Sequence, residues 1–229
     1  MECKSAMHKG IALRSFLNRG KNMKPDNQID PQKASDYDQL TQKYQWYGPE
    51  ILFGLCYESI KPGDTLLDIG IGTGLCSSLF FKHGLEIFGL DNSDEMLEMC
   101  RQKGIAKELK NWDLLDTPLP YPDAHFDIII SGGVFHFFED LQPIFKEIAR
   151  LIKPKGIFAF TNKTFSDELP IDYYSEFSGE GIFIFSHNDG YIRQLLKENG
   201  FRRLKELKFF SLDDDEKYLL LKSYVVRKH

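Results

Sequence analysis

What this sequence lacks narrows its function before any motif is considered. No apolar run approaches the ~18 to 20 residues that a bilayer-spanning helix needs, and no apolar stretch follows Met1 as a secretory signal requires. Membrane and secreted roles are therefore not expected, and a cytoplasmic location is. Cysteine is sparse: Cys3, Cys56, Cys76 and Cys100 are scattered, with no C-x-x-C pair. A structural zinc site or a redox dithiol would need such a pair or a mixed Cys/His cluster, so no metal is expected and the thiols are read as reduced. The chain has no G-x-x-x-x-G-K-[ST] phosphate loop, no Ser/His/Asp or Cys/His signature of an enzyme nucleophile, and no internal repeat. Asn162-Lys163-Thr164 spells a glycosylation triplet, which a cytosolic chain would never have modified.

Length and charge come next. A chain of 229 residues suits one well-cored domain and leaves little room for a second. Charge is uneven: through Lys24 six basic residues stand against Glu2 alone, so a tail of +5 precedes a body of −10 within the net −5. Residues 1–30, polar and without periodicity, read as a disordered basic extension, and 31–229 as the folded domain. An acidic body repels phosphate backbones, so a nucleic-acid partner is not expected.

From Pro31 the texture changes. An aromatic-rich segment through Ile60 reads as one or two helices; short apolar runs then alternate with helical patterns. Strands are expected at 65–68, 86–90, 108–111, 126–131 and 157–161, with helices at about 73–82, 93–103 and 140–152. Beyond Asn188 come a helix to Asn199, a break at Gly200 and two strands, 204–210 and 217–227, joined by Asp213-Asp214-Asp215. Alternating strands and helices imply right-handed crossovers and an α/β, doubly wound, mostly parallel seven-stranded sheet with an antiparallel C-terminal strand.

The stretch Leu66-Leu67-Asp68-Ile69-Gly70-Ile71-Gly72-Thr73-Gly74 carries the most chemistry. A strand leads in and a helix leads out, the context of a ligand-binding loop at the carboxyl end of a sheet. A dinucleotide fingerprint, G-x-G-x-x-G, would place glycine where Leu75 or Ser77 stands. The observed D-x-G-x-G-x-G instead keeps a carboxylate at the strand end, which suits a ligand carrying an ammonium and a sulfonium and opposes a pyrophosphate. Asp91, ending the second strand, can accept both hydroxyls of a ribose, a property shared by dinucleotide sites.

On these motifs the chain resembles the class I S-adenosylmethionine-dependent methyltransferases of the small, single-domain kind, from about Tyr37 to the C-terminus. The resemblance implies that Asp68, Gly70, Ile71, Gly72 and Gly74 line the methionine part of the cofactor. It implies that Asp91 holds the ribose, with Asn92 and Met96 beside the adenine, Trp112 and Asp113 against the adenine ring and its amino group, and Ser131-Gly132-Gly133 closing the pocket. Leu151-Ile152-Lys153-Pro154-Lys155-Gly156 resembles the family's L-K-P-G-G turn, with Lys155 where the first glycine is expected.

The acceptor is left unnamed, with a small molecule expected. His136 is the one candidate for a base, its ordinary pKa range suiting the task; a packing histidine is the competing reading. Tyr37, Tyr44, Trp46 and Tyr47 fall where a helix would fold over the cofactor, or would equally serve a packed helix. Residues 165–185 hold six aromatics, five acids and no Lys or Arg; they read as an acceptor cover able to take a cationic group, or as a solvated acidic insertion. Two competing functions stay open: a non-catalytic S-adenosylmethionine-binding module, and an NAD-dependent oxidoreductase using the Tyr-x-x-x-Lys at Tyr218 to Lys222.

Overall fold

The structure, a computed structural model, describes residues 37–39, 41–165, 172–177, 183–212 and 218–229. The basic extension 1–30 and the acidic loop 213–215 lie outside the described residues. Seven strands form one sheet: β1 (Thr65–Ile69), β2 (Glu86–Asp91), β3 (Glu108–Asn111), β4 (Phe126–Ser131), β5 (Ile152–Lys163), β8 (Phe201–Leu212) and β9 (Tyr218–Lys228). Their order is β3-β2-β1-β4-β5-β9-β8. β1 pairs in parallel with β2 and β4, β2 with β3, and β4 with β5, while β9 runs antiparallel to both its neighbours. The expected α/β sheet is present, with β9 as the reversed strand.

Strand alternation splits the apolar residues between two layers. Leu67, Ile69, Phe88, Ile129, Phe158 and Phe160 face α4 (Gln142–Leu151) and α5 (Asp189–Glu198). Leu66, Ile87, Ile128, Ile130 and Ala159 face α1 (Gly48–Cys56), α2 (Leu75–Lys82) and α3 (Asp94–Lys103). Each such side chain removed from water contributes roughly 1.5 to 3 kcal/mol. Cys56, Cys76 and Cys100 are buried free thiols in the second layer, as read from the sequence; Cys3 lies outside the described residues.

Local sequence sets the helix ends. Ser93 caps α3 by accepting from the Met96 amide at 3.2 Å, and Gly104 ends it in the left-handed region. Asn188 caps α5, its side chain accepting from the Gly190 amide at 2.6 Å.

Three departures from the sequence expectations matter. β5 is longer than 157–161, beginning at Ile152 immediately after α4. Lys155, within that stretch, has φ +67, the left-handed conformation that glycine adopts without strain. And 165–185 is not simply an irregular insertion: β6 (Tyr173–Phe177) and β7 (Phe183–His187) form an antiparallel two-stranded hairpin apart from the main sheet.

A buried ion pair anchors the end of the chain. Lys222 and Asp189, each 3% exposed, meet at 2.8 Å, and the Tyr224 hydroxyl donates to the same carboxylate at 2.5 Å. Burial pushes the Asp189 carboxyl up, but the Lys222 and Tyr224 hydrogen bonds outweigh it and hold the group below the usual carboxylate range. Lys222 is thus a structural cation. Tyr218 is 75% exposed and four residues away along the strand, roughly 13 Å, so the two cannot act as a catalytic dyad.

Candidate active site

The carboxyl ends of β1, β2 and β4 bring the predicted residues together. Asp68, near the end of β1, is 1% exposed; its Oδ2 accepts from the Ser77 hydroxyl at 2.7 Å, and its Oδ1 has no hydrogen-bond partner among the described residues. Burial pushes its carboxyl up to about 7, opposed by the Ser77 hydrogen bond and reinforced by the negative charge of Asp91. A half-satisfied buried carboxylate is costly unless something cationic meets it.

The loop that follows is held by β2. The amides of Gly70 and Ile71 both donate to the Leu90 carbonyl, at 2.8 and 2.9 Å, and the Gly72 amide donates to Asp91 Oδ2 at 2.8 Å. Gly70 must lack a side chain because a Cβ there would lie 2.4 Å from Val134, whereas a Cβ on Gly72 would meet nothing within 4 Å. Gly72, at φ +53, is thus left facing open space. Ile71 turns its side chain inward against Gly89, and its carbonyl accepts from the Gly74 amide, so it shapes the loop. Gly74 abuts Cys100 and Ile105, and Gly132 abuts Cys76.

Asp91 does more than the sequence suggests. Its Oδ1 accepts from the Ser93 amide at 2.9 Å while Oδ2 holds Gly72. Burial raises its pKa, and the Ser93 and Gly72 amides counter this. The Asn92 amide also bonds this carboxylate, and of its roughly four acceptor positions the three amides leave about one for a ligand hydroxyl.

Around the rim, Asn92 is exposed and Met96 is buried beneath it. Trp112 is half-buried against the core, and its indole N–H is already given to the Asp116 carbonyl at 2.7 Å, leaving the ring as a wall. Asp113 Oδ1 accepts from the Leu115 amide at 2.9 Å. Ser131 is buried, its hydroxyl bound to the Ile69 carbonyl at 3.0 Å, so it braces β4 against β1 and presents no free group.

The helical segment before the first strand was expected, but the contacts that hold it were not. Residues 37–39 and 41–43 are helical, and Asp38 clamps them down: it accepts from the Thr73 hydroxyl at 2.6 Å and pairs with Lys103 at 2.5 Å. Burial pushes the Tyr37 hydroxyl up to about 12, with Cys76, Asp91 and Asp38 adding to it. Nothing in the spacing of Asp38, Thr73 and Ser77 announces these contacts. Of the other aromatics singled out, Trp46 covers Gly48 and Gly133, Tyr44 receives the Leu212 amide and Ser211 hydroxyl on its carbonyl, and Tyr47 is 55% exposed.

Further groups gather over β4 and β5. The Thr161 hydroxyl accepts from the Gly133 amide at 2.8 Å, and His136 sits in a 3-10 turn, Phe135–Phe137. Burial, then the positive charge of Lys163, then His187 push the His136 pKa down to about 3, so its imidazole is neutral and weakly basic. Fully buried His187, on β7, bridges Asn162 at 3.2 Å and the Glu139 carbonyl at 3.3 Å, fastening the hairpin to the body.

Comparisons with known proteins agree with this geometry. Residues 67–160 match a family model described as a methyltransferase domain. A malonyl-[acyl-carrier protein] O-methyltransferase of Serratia marcescens is 35% identical over 103 residues, 45% of this chain and 40% of that protein. A demethylmenaquinone methyltransferase of Tropheryma whipplei is 31% identical over 99 residues, 42% of this chain and 41% of that one. The matches thus span about two fifths of these curated relatives' length. A solved S-adenosylmethionine-dependent methyltransferase of Methanosarcina mazei superposes with a TM-score of 0.65 at 17% identity, covering 76% of this chain and 96% of that one, which speaks for the fold. Residues 67–160 thus match a methyltransferase domain, and the fold is the one seen in solved S-adenosylmethionine-dependent methyltransferases.

Proposed function

We propose that this chain binds S-adenosylmethionine in the β1–β2 cleft and transfers its methyl group to a small-molecule acceptor by direct displacement. The observation that carries this reading is Asp68: a buried carboxylate with one oxygen unmet, at the mouth of a loop whose Gly72 faces open space. An ammonium is the group that satisfies it, and the remaining acceptor position of Asp91 suits a ribose hydroxyl. Asn92, Met96, Trp112 and Asp113 then surround the base. The relatives' names point to chemically different acceptors, a malonyl group on a carrier protein and a quinone precursor, so they support the chemistry and leave the acceptor open.

When bound, S-adenosylmethionine supplies a methyl carbon already activated on a sulfonium. The protein's share is alignment and exclusion of water, and positioning of this kind can supply several kcal/mol. Asp68 holds the methionine end of the cofactor and Asp91 its ribose, Trp46 and the helical residues 37–39 and 41–43 close one side, and the β6–β7 hairpin covers the other. His136, neutral and weakly basic, is suited to shaping the acceptor pocket and poorly suited to taking a proton.

Calorimetry tests the cofactor assignment. S-adenosylhomocysteine is expected to bind the full chain, and NAD to give no heat. Binding of NAD in preference to the thioether would overturn the function.

A further inference from the structure

The hairpin contributes a charge that the body answers. Lys163, at the carboxyl end of β5, is 7% exposed, and its ammonium pairs with the Glu176 carboxylate on β6. The two partners are unequally placed: the Lys163 side chain is 8% exposed and that of Glu176 47%. Lys163 shares a strand face with Thr161, which holds Gly133, and its charge reaches His136. A lysine is thus built into the side proposed for the acceptor, and Glu176, one of its partners, sits at an exposed position on a hairpin that forms its own two-stranded sheet. A buried ammonium must keep an anion beside it; which anion is a matter of competition, and an exposed glutamate is a replaceable one.

Building on the methyl-transfer function proposed above, we infer that Lys163 is the acceptor-binding cation, and that the acceptor is a small acid, a carboxylic acid or acidic phenol, bound as its anion in place of Glu176 and methylated on oxygen. The described acids of the hairpin give no site for a cationic acceptor: Glu176 is spent on Lys163, and Asp172 is exposed at the hairpin's edge. An acceptor that arrives ionised also needs no proton acceptor, which fits the weak basicity of His136. The acid's proton leaves to solvent before binding. The anionic oxygen then forms its bond to the methyl carbon as the carbon–sulfur bond breaks, with that bond's electron pair remaining on sulfur. Anion and sulfonium become a neutral methyl ester or ether and a neutral thioether. Lys163, its partner gone, re-pairs with Glu176, and this favours release.

The test uses the full chain saturated with S-adenosylhomocysteine and four probes matched in shape: benzoate, 4-nitrophenolate, benzamide and benzylamine, with binding read by ligand-observed NMR. The two anions are expected to bind, and the amide and amine to bind at least tenfold more weakly. Glu176→Gln, which removes the competing anion at an exposed position, is expected to tighten benzoate several-fold. Lys163→Met is expected to abolish the preference for anions while leaving S-adenosylhomocysteine affinity within twofold of wild type, which also shows that the variant is folded. Preference for benzylamine, or anion binding unchanged in Lys163→Met, would overturn the assignment. Failure of the wild type to bind S-adenosylhomocysteine would instead overturn the cofactor reading beneath it.

Discussion

Asp68 makes cofactor affinity a function of pH, and the size of the effect follows from its surroundings. Burial holds its carboxyl at about 7 in the free protein. Only the ionised form can meet an ammonium, and once met it stays ionised well below pH 7. The ionised fraction of such a group falls from roughly 90% at pH 8 to about 1% at pH 5, a ratio of roughly 90-fold, or about 3 kcal/mol of binding. S-adenosylhomocysteine is the ligand to use, since its amino group stays charged across this range and no transfer can occur. Titration calorimetry at pH 5, 6, 7 and 8 is expected to show Kd weakening close to tenfold per unit below pH 7. Asp68→Asn, which keeps the Ser77 hydrogen bond and removes the charge, is expected to bind weakly with a flat profile. The same group affects folding with the opposite preference. Its folded pKa is raised, so the folded state holds a proton that the unfolded state has released. Between about pH 4 and pH 7 the ligand-free protein loses up to roughly 4 kcal/mol from this group as pH rises, with no further change above. A wild-type Kd varying less than threefold between pH 5 and pH 8 would refute the electrostatic role given to Asp68.

Other outcomes follow from single contacts. Asp91→Ala strips the Gly72 and Ser93 amides of their acceptor along with the ribose site, and should weaken S-adenosylhomocysteine more than tenfold by calorimetry, about 1.4 kcal/mol or above; an unchanged Kd would remove Asp91 from the site. Lys155→Gly relieves a left-handed backbone at an exposed position. Relief of about 1 to 2 kcal/mol, less the greater freedom of glycine when unfolded, should raise Tm by roughly 1 to 3 °C in a thermal melt. Lys222→Met leaves Asp189 without its buried cation. Arg193 remains on that carboxylate at 2.6 Å, so the loss should be about 3 kcal/mol, seen as a Tm lower by roughly 10 °C.

The centre of the sheet was legible in the sequence because its inner strands are buried on both faces and so appear as apolar runs, Phe126 to Ser131 most clearly. Asp68 and Gly72 stood out because one loop carries turn, open space and charge within a few residues, and Asp91 because it ends the following strand. The hairpin was not: Tyr173–Phe177 mixes aromatics with Ser175 and Glu176, and without a sheet neighbour no alternation marks it as a strand. Nor were the contacts made over long separations. Asp38 reaches Thr73 across 35 residues, and Lys163 meets Glu176 only after the chain turns back on itself. Lys155 shows the reverse case, a left-handed position where the resembled turn pattern has glycine and this chain has lysine.

The glycine loop separates two kinds of damage that a mutational survey would otherwise merge. At position 70 the protein's own Val134 occupies the space a methyl group would need, so enlargement there should surface as poor expression or early melting. At position 72 no protein atom competes, and asparagine, which tolerates that backbone, should yield a well-behaved polypeptide that has lost its nucleoside. Neighbouring glycines two residues apart would thus report, one on whether the chain assembles and the other on what it was assembled to hold.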